Sequence, residues 1–283
     1  MNTKNIKIDQ PMVSANWLYR NKDATNLVVI DATMKHITWE KNKFENEHIQ
    51  IKSARYLDIK TVFSDVSAPF PNTMLSAKNF QEKARRLGIN KDTAIIVYDA
   101  IGIYTSPRVW WMFKSMGHEN IAVLNGGFPA WIKAGYSVEK TINFTIKSGD
   151  FEANFNETYF NSYTQVLTAI NSDTVILDAR SEDRFNGTKD EPRKGLRKGH
   201  IPSSKSLHYQ DLLDGNLLKS VQKLSESFAL KTKKDDDIIF SCGSGITACI
   251  LALGATISGH KKISVYDGSW TEWGSLIHLP IAK

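Results

Sequence analysis

Cysteine is nearly absent: Cys242 and Cys249 are the only two in 283 residues. Two are too few for a disulfide scaffold and fall short of the ligand set of a structural zinc site, so a reducing, cytoplasmic setting is expected. Long apolar runs are missing as well. No stretch approaches the ~20 residues that a membrane-spanning helix needs, and the opening MNTKNIKIDQPMV has no apolar secretory core, so neither a membrane span nor export is expected. Charge of one sign is also in short supply, 36 basic residues against 30 acidic ones giving a net +6. The basic residues are scattered. A local cluster, Arg193, Lys194, Arg197 and Lys198, lies in a glycine-bearing loop without interleaved aromatics. That speaks against nucleic-acid binding and for a loop that faces an anion. What remains is a chain with globular averages, 41% hydrophobic and 23% charged, long enough for two domains or one large one.

Its most informative feature is internal repetition. LVVIDA around Asp31 answers VILDAR around Asp178, IIVYDA around Asp99 answers IIFSCG around Cys242, and IAVLNGGFPAW answers ISVYDGSWTEW. The offsets are 147, 143 and 142 residues, steady enough to imply a duplicated domain with small loop insertions. Short, turn-bounded apolar runs without alternation predict strands buried on both faces. Between them, helices are predicted from Ser76 to Leu87 and Pro107 to Met116, ending at Gly88 and Gly117, and from Thr247 to Ile257, ending near Gly259. The expected fold class is therefore α/β, two tandem units with mainly parallel sheets flanked by helices. The boundaries expected are residues 10–138 for the first domain, 139–157 for a linker rich in Ser, Thr, Asn and Gly, and 158–283 for the second.

In IIFSCGSGITACILALG a strand runs into Cys242, two glycines follow within three residues, and an apolar helix begins. Such a loop turns backbone N–H groups inward at a helix start, where an anion is stabilised and thiols ionise more readily than free cysteine. Cys242 is the candidate nucleophile, with Gly243, Ser244, Gly245, Ile246 and Thr247 as its cradle. Cys249, two helical turns on, reads as a small core residue. Cysteine phosphatases close a similar cradle with an arginine six residues after the nucleophile; here that position is Ala248, which argues against phosphoryl chemistry.

From Asp178 to His200 the second half spans 22 residues where the matching Asp31 to His48 spans 17, and the extra length carries Arg184, Arg193 and Arg197. Guanidinium forks grip carboxylates, so this loop is a candidate receptor for a small acid. A solvated loop salt-bridged through Asp190 and Glu191 is the competing expectation. The first half has Asp99 in place of Cys242, and its loop AIGIYTS has one glycine and no matching cradle by composition, so a silent domain is expected there. His48 and His200 read as loop histidines that tie their neighbours together.

With CGSGITA, DGSWTEW, RKGHIPSS and the tandem halves, the chain resembles the two-domain rhodanese-like sulfurtransferases over essentially its whole length, and within them the mercaptopyruvate branch. The resemblance implies a two-step reaction without metal or organic cofactor. Cys242 takes a sulfur atom from 3-mercaptopyruvate as a persulfide, and thioredoxin, a small thiol or cyanide then removes it. Arg184 in DRFNG and Arg193 in DEPRKG match the family's two carboxylate-holding arginines. The thiosulfate branch has basic or bulky residues after the cysteine, where this chain has Gly243 and Ser244. A family relay of Asp, His and loop serine maps only onto His48 and Ser244, since no Asp stands between His36 and Glu47. A thiosulfate-preferring enzyme and a persulfide relay module remain the alternatives.

Overall fold

The structure is a computed structural model that describes residues 4–34, 49–141 and 145–283. The chain divides into two compact units: residues 1–63, 75–156 and 215–218 form the first, residues 64–74, 157–214 and 219–283 the second.

In the first unit five parallel strands lie in the order Met12–Val13, Ile121–Leu124, Ala94–Tyr98, Leu27–Asp31, Arg55–Tyr56. The central strand, AIIVY, is buried at every position because helices cover both faces of a parallel sheet. The helix Ala77–Arg86 starts where the Ser76 hydroxyl accepts the Asn79 N–H, satisfying one of the orphan donors of its first turn. The helix Ser106–Ser115 is buried along nearly its whole length, Val109, Trp110, Met112 and Phe113 included. The core gathers Ile96, Tyr98, Leu124, Phe128 and Trp131.

Of the stretch 139–157, expected as a linker, residues 139–141 and 145–156 are laid onto this unit. Val138–Lys140 pairs antiparallel with Ile49–Ile51, and Phe151 is buried against the rings of Phe80 and Phe113. The Gly149, Phe151 and Asn154 N–H groups donate to the carbonyls of Arg85, Ile89 and Met116. A three-residue ribbon and one anchoring phenylalanine leave no periodic signal, which is why composition alone reads this stretch as loop.

The second unit repeats the design. Its parallel order is Lys205–Ser206, Val175–Asp178, Ile238–Ser241, Ile263–Tyr266, Phe160–Asn161, the same sequence of repeat-related strands taken from the other edge. The helix Tyr163–Ala169 opens with a capping box of Ser162 and Gln165, and the apolar helix Ala248–Ile257 is buried from Ala248 to Ala255. The α/β class in two tandem parallel-sheet units thus holds for both halves.

One feature departs from a plain tandem. Residues 64–74 belong to the second unit and residues 215–218 to the first. In the second unit the Met74 N–H donates to the Asp267 carboxylate at 2.8 Å; in the first, the Leu218 N–H donates to Asn125 Oδ1 at 2.9 Å. Asn125 and Asp267 hold equivalent places in the repeat. Among the described residues no helix is long and apolar enough to cross a membrane.

Candidate active site

The strand Ile238–Ser241 delivers Cys242 to the carboxyl edge of the second sheet, where it is 1% exposed, and the helix Ala248–Ile257 begins just beyond Thr247. The loop between is clasped by residues of DGSWTEW. The Ser269 hydroxyl accepts the N–H groups of Cys242 (3.2 Å) and Gly245 (3.1 Å), donates to the Tyr266 carbonyl (2.8 Å), and stands 3.8 Å from Cys242 Sγ. The Trp270 and Thr271 N–H groups donate to the carbonyls of Cys242 and Gly243 at 2.9 Å each. Cys249 is fully buried, its Sγ donating to the Gly245 carbonyl at 3.4 Å.

Ser269 sits in the left-handed region at φ +49°, and its counterpart in the first unit, Gly127, has φ +53°. Glycine takes that conformation at no steric cost, whereas a serine is strained by roughly 1 to 3 kcal/mol. The second unit carries the strain at the one position where a hydroxyl bridges two loop N–H groups. Ser269→Ala keeps the strain and loses the bridge; Ser269→Gly loses both. In denaturant unfolding Ser269→Ala should therefore be the less stable by about 1 kcal/mol, and equal midpoints would mean that this backbone is unstrained.

Ser244 has two donors on its hydroxyl oxygen, Asn72 Nδ2 at 3.1 Å and Arg193 Nη2 at 3.5 Å; Asn72 Nδ2 also reaches the Ser244 carbonyl at 3.1 Å. Asn72 comes from the segment 64–74, is 5% exposed, and is left-handed at φ +64°. His48, expected to face Ser244, lies outside the described residues. Among the described residues the groups that face it are an amide and a guanidinium, neither of which takes up a proton at neutral pH. Asn72 was missed by sequence reasoning; its only local signal is an asparagine after Pro69 and Pro71, the composition of a turn.

The arginine loop reaches the same place. Arg184, in the short helix Glu182–Phe185, directs Nε and Nη2 at Glu191 (3.2 and 2.5 Å). Glu191 also accepts from Arg180 Nη1 at 2.9 Å, and Arg180 in turn forks onto Asp178, with Nη2 2.7 Å from Oδ2. Arg180 is fully buried and lies over the Trp270 ring. Burial works against its charge, but Asp178 and Glu191 outweigh that and hold its pKa above the ordinary value. Alternation of sign along Asp178, Arg180, Glu191 and Arg184 is what makes this buried row tolerable, since each charge is paired and hydrogen-bonded.

Arg184 Nη2 lies 3.1 Å from where a Cβ on Gly243 would stand, so glycine is what lets the guanidinium lie against the loop. Arg193 Nη1 reaches the Thr271 hydroxyl at 3.3 Å. Arg184 and Arg193 therefore converge on Gly243 and Ser244. Arg197 does not: it donates to the carbonyls of Trp273, Gly274, Leu276 and Leu279 and ties down the end of the chain, while Lys198 pairs with Asp190. The anion-facing loop is thus narrower than its composition suggests. Nearby, burial pushes the His208 imidazole below its usual range, with Arg184 adding to the effect and Asp211 and Asp183 opposing it. His200 is a structural tie, bonded to the Phe185 carbonyl and stacked on its ring. Among the described residues no cluster of three or more His, Cys, Asp or Glu is placed to hold a metal ion.

In the first unit the loop after Asp99 corrects the expectation that it has no cradle. Asp99 Oδ1 accepts the N–H groups of Ile101 and Gly102, and Oδ2 accepts those of Tyr104, Thr105 and Ser106 at 3.0 Å together with the Ser106 hydroxyl at 2.7 Å. The nest is present and filled by the chain's own carboxylate, which is completely buried.

A Rhodanese-like domain matches the chain twice, over residues 14–134 and 162–276. The 3-mercaptopyruvate sulfurtransferase of Escherichia coli (strain K12) is 34% identical over 273 residues, covering 95% of this chain and 96% of the relative. An Arabidopsis thaliana protein named thiosulfate/3-mercaptopyruvate sulfurtransferase 1, mitochondrial, is 33% identical over 303 residues, covering 99% of this chain and 80% of its own. The crystal structure of an Escherichia coli protein, described as showing the rhodanese fold and catalytic mechanism of 3-mercaptopyruvate sulfotransferases, superposes with a TM-score of 0.82 at 32% identity, covering 92% of this chain and 99% of that one. Two matched domains, two parallel sheets of the same order and full-length likeness lead to one conclusion: the chain belongs to the rhodanese family, as a tandem of two rhodanese-like domains.

Proposed function

We propose that the protein transfers sulfur from 3-mercaptopyruvate, through a persulfide on Cys242, to a thiol or cyanide acceptor, with release of pyruvate. The Cys242 thiolate attacks the substrate sulfur, and the C–S bond breaks. Its electron pair leaves on pyruvate as an enolate, which takes up a proton, and the enzyme keeps an S–SH group. A small thiol, thioredoxin or cyanide then takes the outer sulfur.

The observation that carries this reading is the meeting of Arg184 and Arg193 at Gly243 and Ser244, beside a loop that has no cationic side chain of its own. A keto acid placed there has its carboxylate on the arginines and its sulfur at Cys242. The first unit supports the electrostatics by internal analogy. Ile101, Tyr104 and Thr105, which give N–H groups to the Asp99 carboxylate, correspond to Ser244, Thr247 and Ala248 around the Cys242 sulfur. Preorganised N–H groups favour charge developing at that point. The first unit itself we assign no turnover, because a carboxylate stands where sulfur would be carried. A reducing compartment, where both cysteines stay thiols, suits the chemistry.

Steady-state rates on one preparation should favour mercaptopyruvate over thiosulfate, and Arg184→Ala and Arg193→Ala should each raise the mercaptopyruvate KM by about ten-fold or more, the worth of one charge-assisted contact. Wild-type kinetics in both variants would remove the arginines from the site.

A further inference from the structure

We infer that Glu191 sets the charge preference of the site, making Arg184 a receptor for singly charged carboxylates and disfavouring doubly charged donors. The inference rests on the reading of Arg184 as the carboxylate receptor.

A guanidinium offers two edges to an anion, the side edge formed by Nε and Nη2 and the end edge formed by Nη1 and Nη2. Glu191 takes the side edge of Arg184 with both of its oxygens, at 3.2 and 2.5 Å. Its side chain is 3% exposed while that of Arg184 is 22% exposed, so the carboxylate is fixed behind the guanidinium, and the end edge lies at Gly243, with Nη2 at 3.1 Å and Nη1 at 4.0 Å from where a Cβ there would stand. Glu191 cannot swing away, because Arg180 holds its Oε1 and is itself anchored on Asp178. At Arg184 the incoming anion therefore meets only the end edge of a guanidinium whose charge is already largely compensated, with Arg193 beside it at Ser244.

The other charged groups around Arg184 leave this balance in place. Asp183 accepts the Arg184 N–H and the Ser181 hydroxyl and pairs with Lys189 at 3.2 Å, and burial holds the His208 imidazole below its usual range. Compensation by one negative charge weakens the attraction for a dianion about twice as much as for a monoanion, since the Coulomb energy scales with ligand charge. Thiosulfate is a dianion and mercaptopyruvate a monoanion, so Glu191 separates them in favour of the latter. Its role is positioning and electrostatic, acting through Arg184 without touching the reacting sulfur.

The test compares wild type, Glu191→Gln, Glu191→Asp and the double variant Glu191→Gln with Arg184→Gln. Initial rates are measured with mercaptopyruvate and with thiosulfate, and the binding of pyruvate and of thiosulfate by titration calorimetry. In Glu191→Gln the ratio of kcat/KM for thiosulfate to that for mercaptopyruvate should rise about ten-fold, carried by a lower thiosulfate KM, and thiosulfate should gain on pyruvate in the titrations by a similar factor. Glu191→Asp keeps the charge but draws it back by one methylene, and should shift the ratio by about three-fold; it serves as the test if Glu191→Gln does not fold. The Arg184→Gln background should abolish the shift. Unchanged ratios in a folded Glu191 variant, or a shift that persists without Arg184, would overturn the inference. Absence of turnover in the wild type would instead defeat the proposed reaction, and the titrations would still decide the role of Glu191.

Discussion

Cys242→Ser should carry no added sulfur after exposure to 3-mercaptopyruvate, and its turnover should fall by on the order of a thousand-fold or more, while Cys249→Ser should keep most of both. A serine hydroxyl in the same loop still receives the backbone N–H groups, but it is no nucleophile toward sulfur at neutral pH. Cys249 is fully buried inside the helix Ala248–Ile257 with its Sγ turned onto the Gly245 carbonyl, so it has neither access nor an anion-stabilising setting. Intact-mass measurement followed by peptide mapping decides the matter. Sulfur found on Cys249 would overthrow the whole assignment of the site.

The second large effect is expected in the unit to which no turnover is assigned. Asp99→Ala removes an acceptor from five N–H groups and one hydroxyl at once, all in a fully buried loop. Breaking a buried, hydrogen-bonded charge in this way typically costs about 3 to 5 kcal/mol. Calorimetry should show the unfolding of the first unit displaced by roughly 10 °C, given about 2 to 4 °C per kcal/mol for a domain of this class. Asp99→Asn, which keeps one acceptor oxygen, should fall between Asp99→Ala and the wild type. Formate or acetate should restore part of the loss in Asp99→Ala by occupying the vacated nest. Sulfur loading of Cys242 at one per folded chain should survive. An unshifted transition in Asp99→Ala would mean that the loop holds its shape without an anion.

The architecture was legible because it is written in local patterns. Apolar strand runs recur at a steady offset, and Gly88, Gly117 and Gly259 stand just beyond the helix ends that they were expected to mark. Cys242, Arg184 and Arg193 were visible as residue types in telling contexts, and the structure brings the three segments together. Asn72 was not visible, because its partner Ser244 is 172 residues away. Glu191 enters the sequence reading only through the competing expectation of a salt-bridged surface loop, since spacing cannot distinguish a solvated carboxylate from one clamped between two arginines. The nest around Asp99 escaped for a different reason. Counting glycines treats a cradle as a matter of composition, whereas Ile101, Tyr104 and Thr105 contribute through backbone N–H groups that any residue but proline possesses.

The exchanged segments set a timetable for the chain as it is made. Residues 64–74 leave the ribosome long before Asp267 and Ser244, on which Met74 and Asn72 depend, while the first unit waits for Leu218 to occupy Asn125. At about 5 to 20 residues per second, the roughly two hundred residues between Met74 and Asp267 impose a delay of about 10 to 40 seconds before Met74 finds its acceptor, and the first unit is completed within that interval, when Leu218 is made. Release of a chain that stops before residue 215 therefore yields a first half with a vacant Asn125 and an unanchored Met74, and translation of the gene in two pieces adds a second half whose Ser244 has lost the amide that orients it.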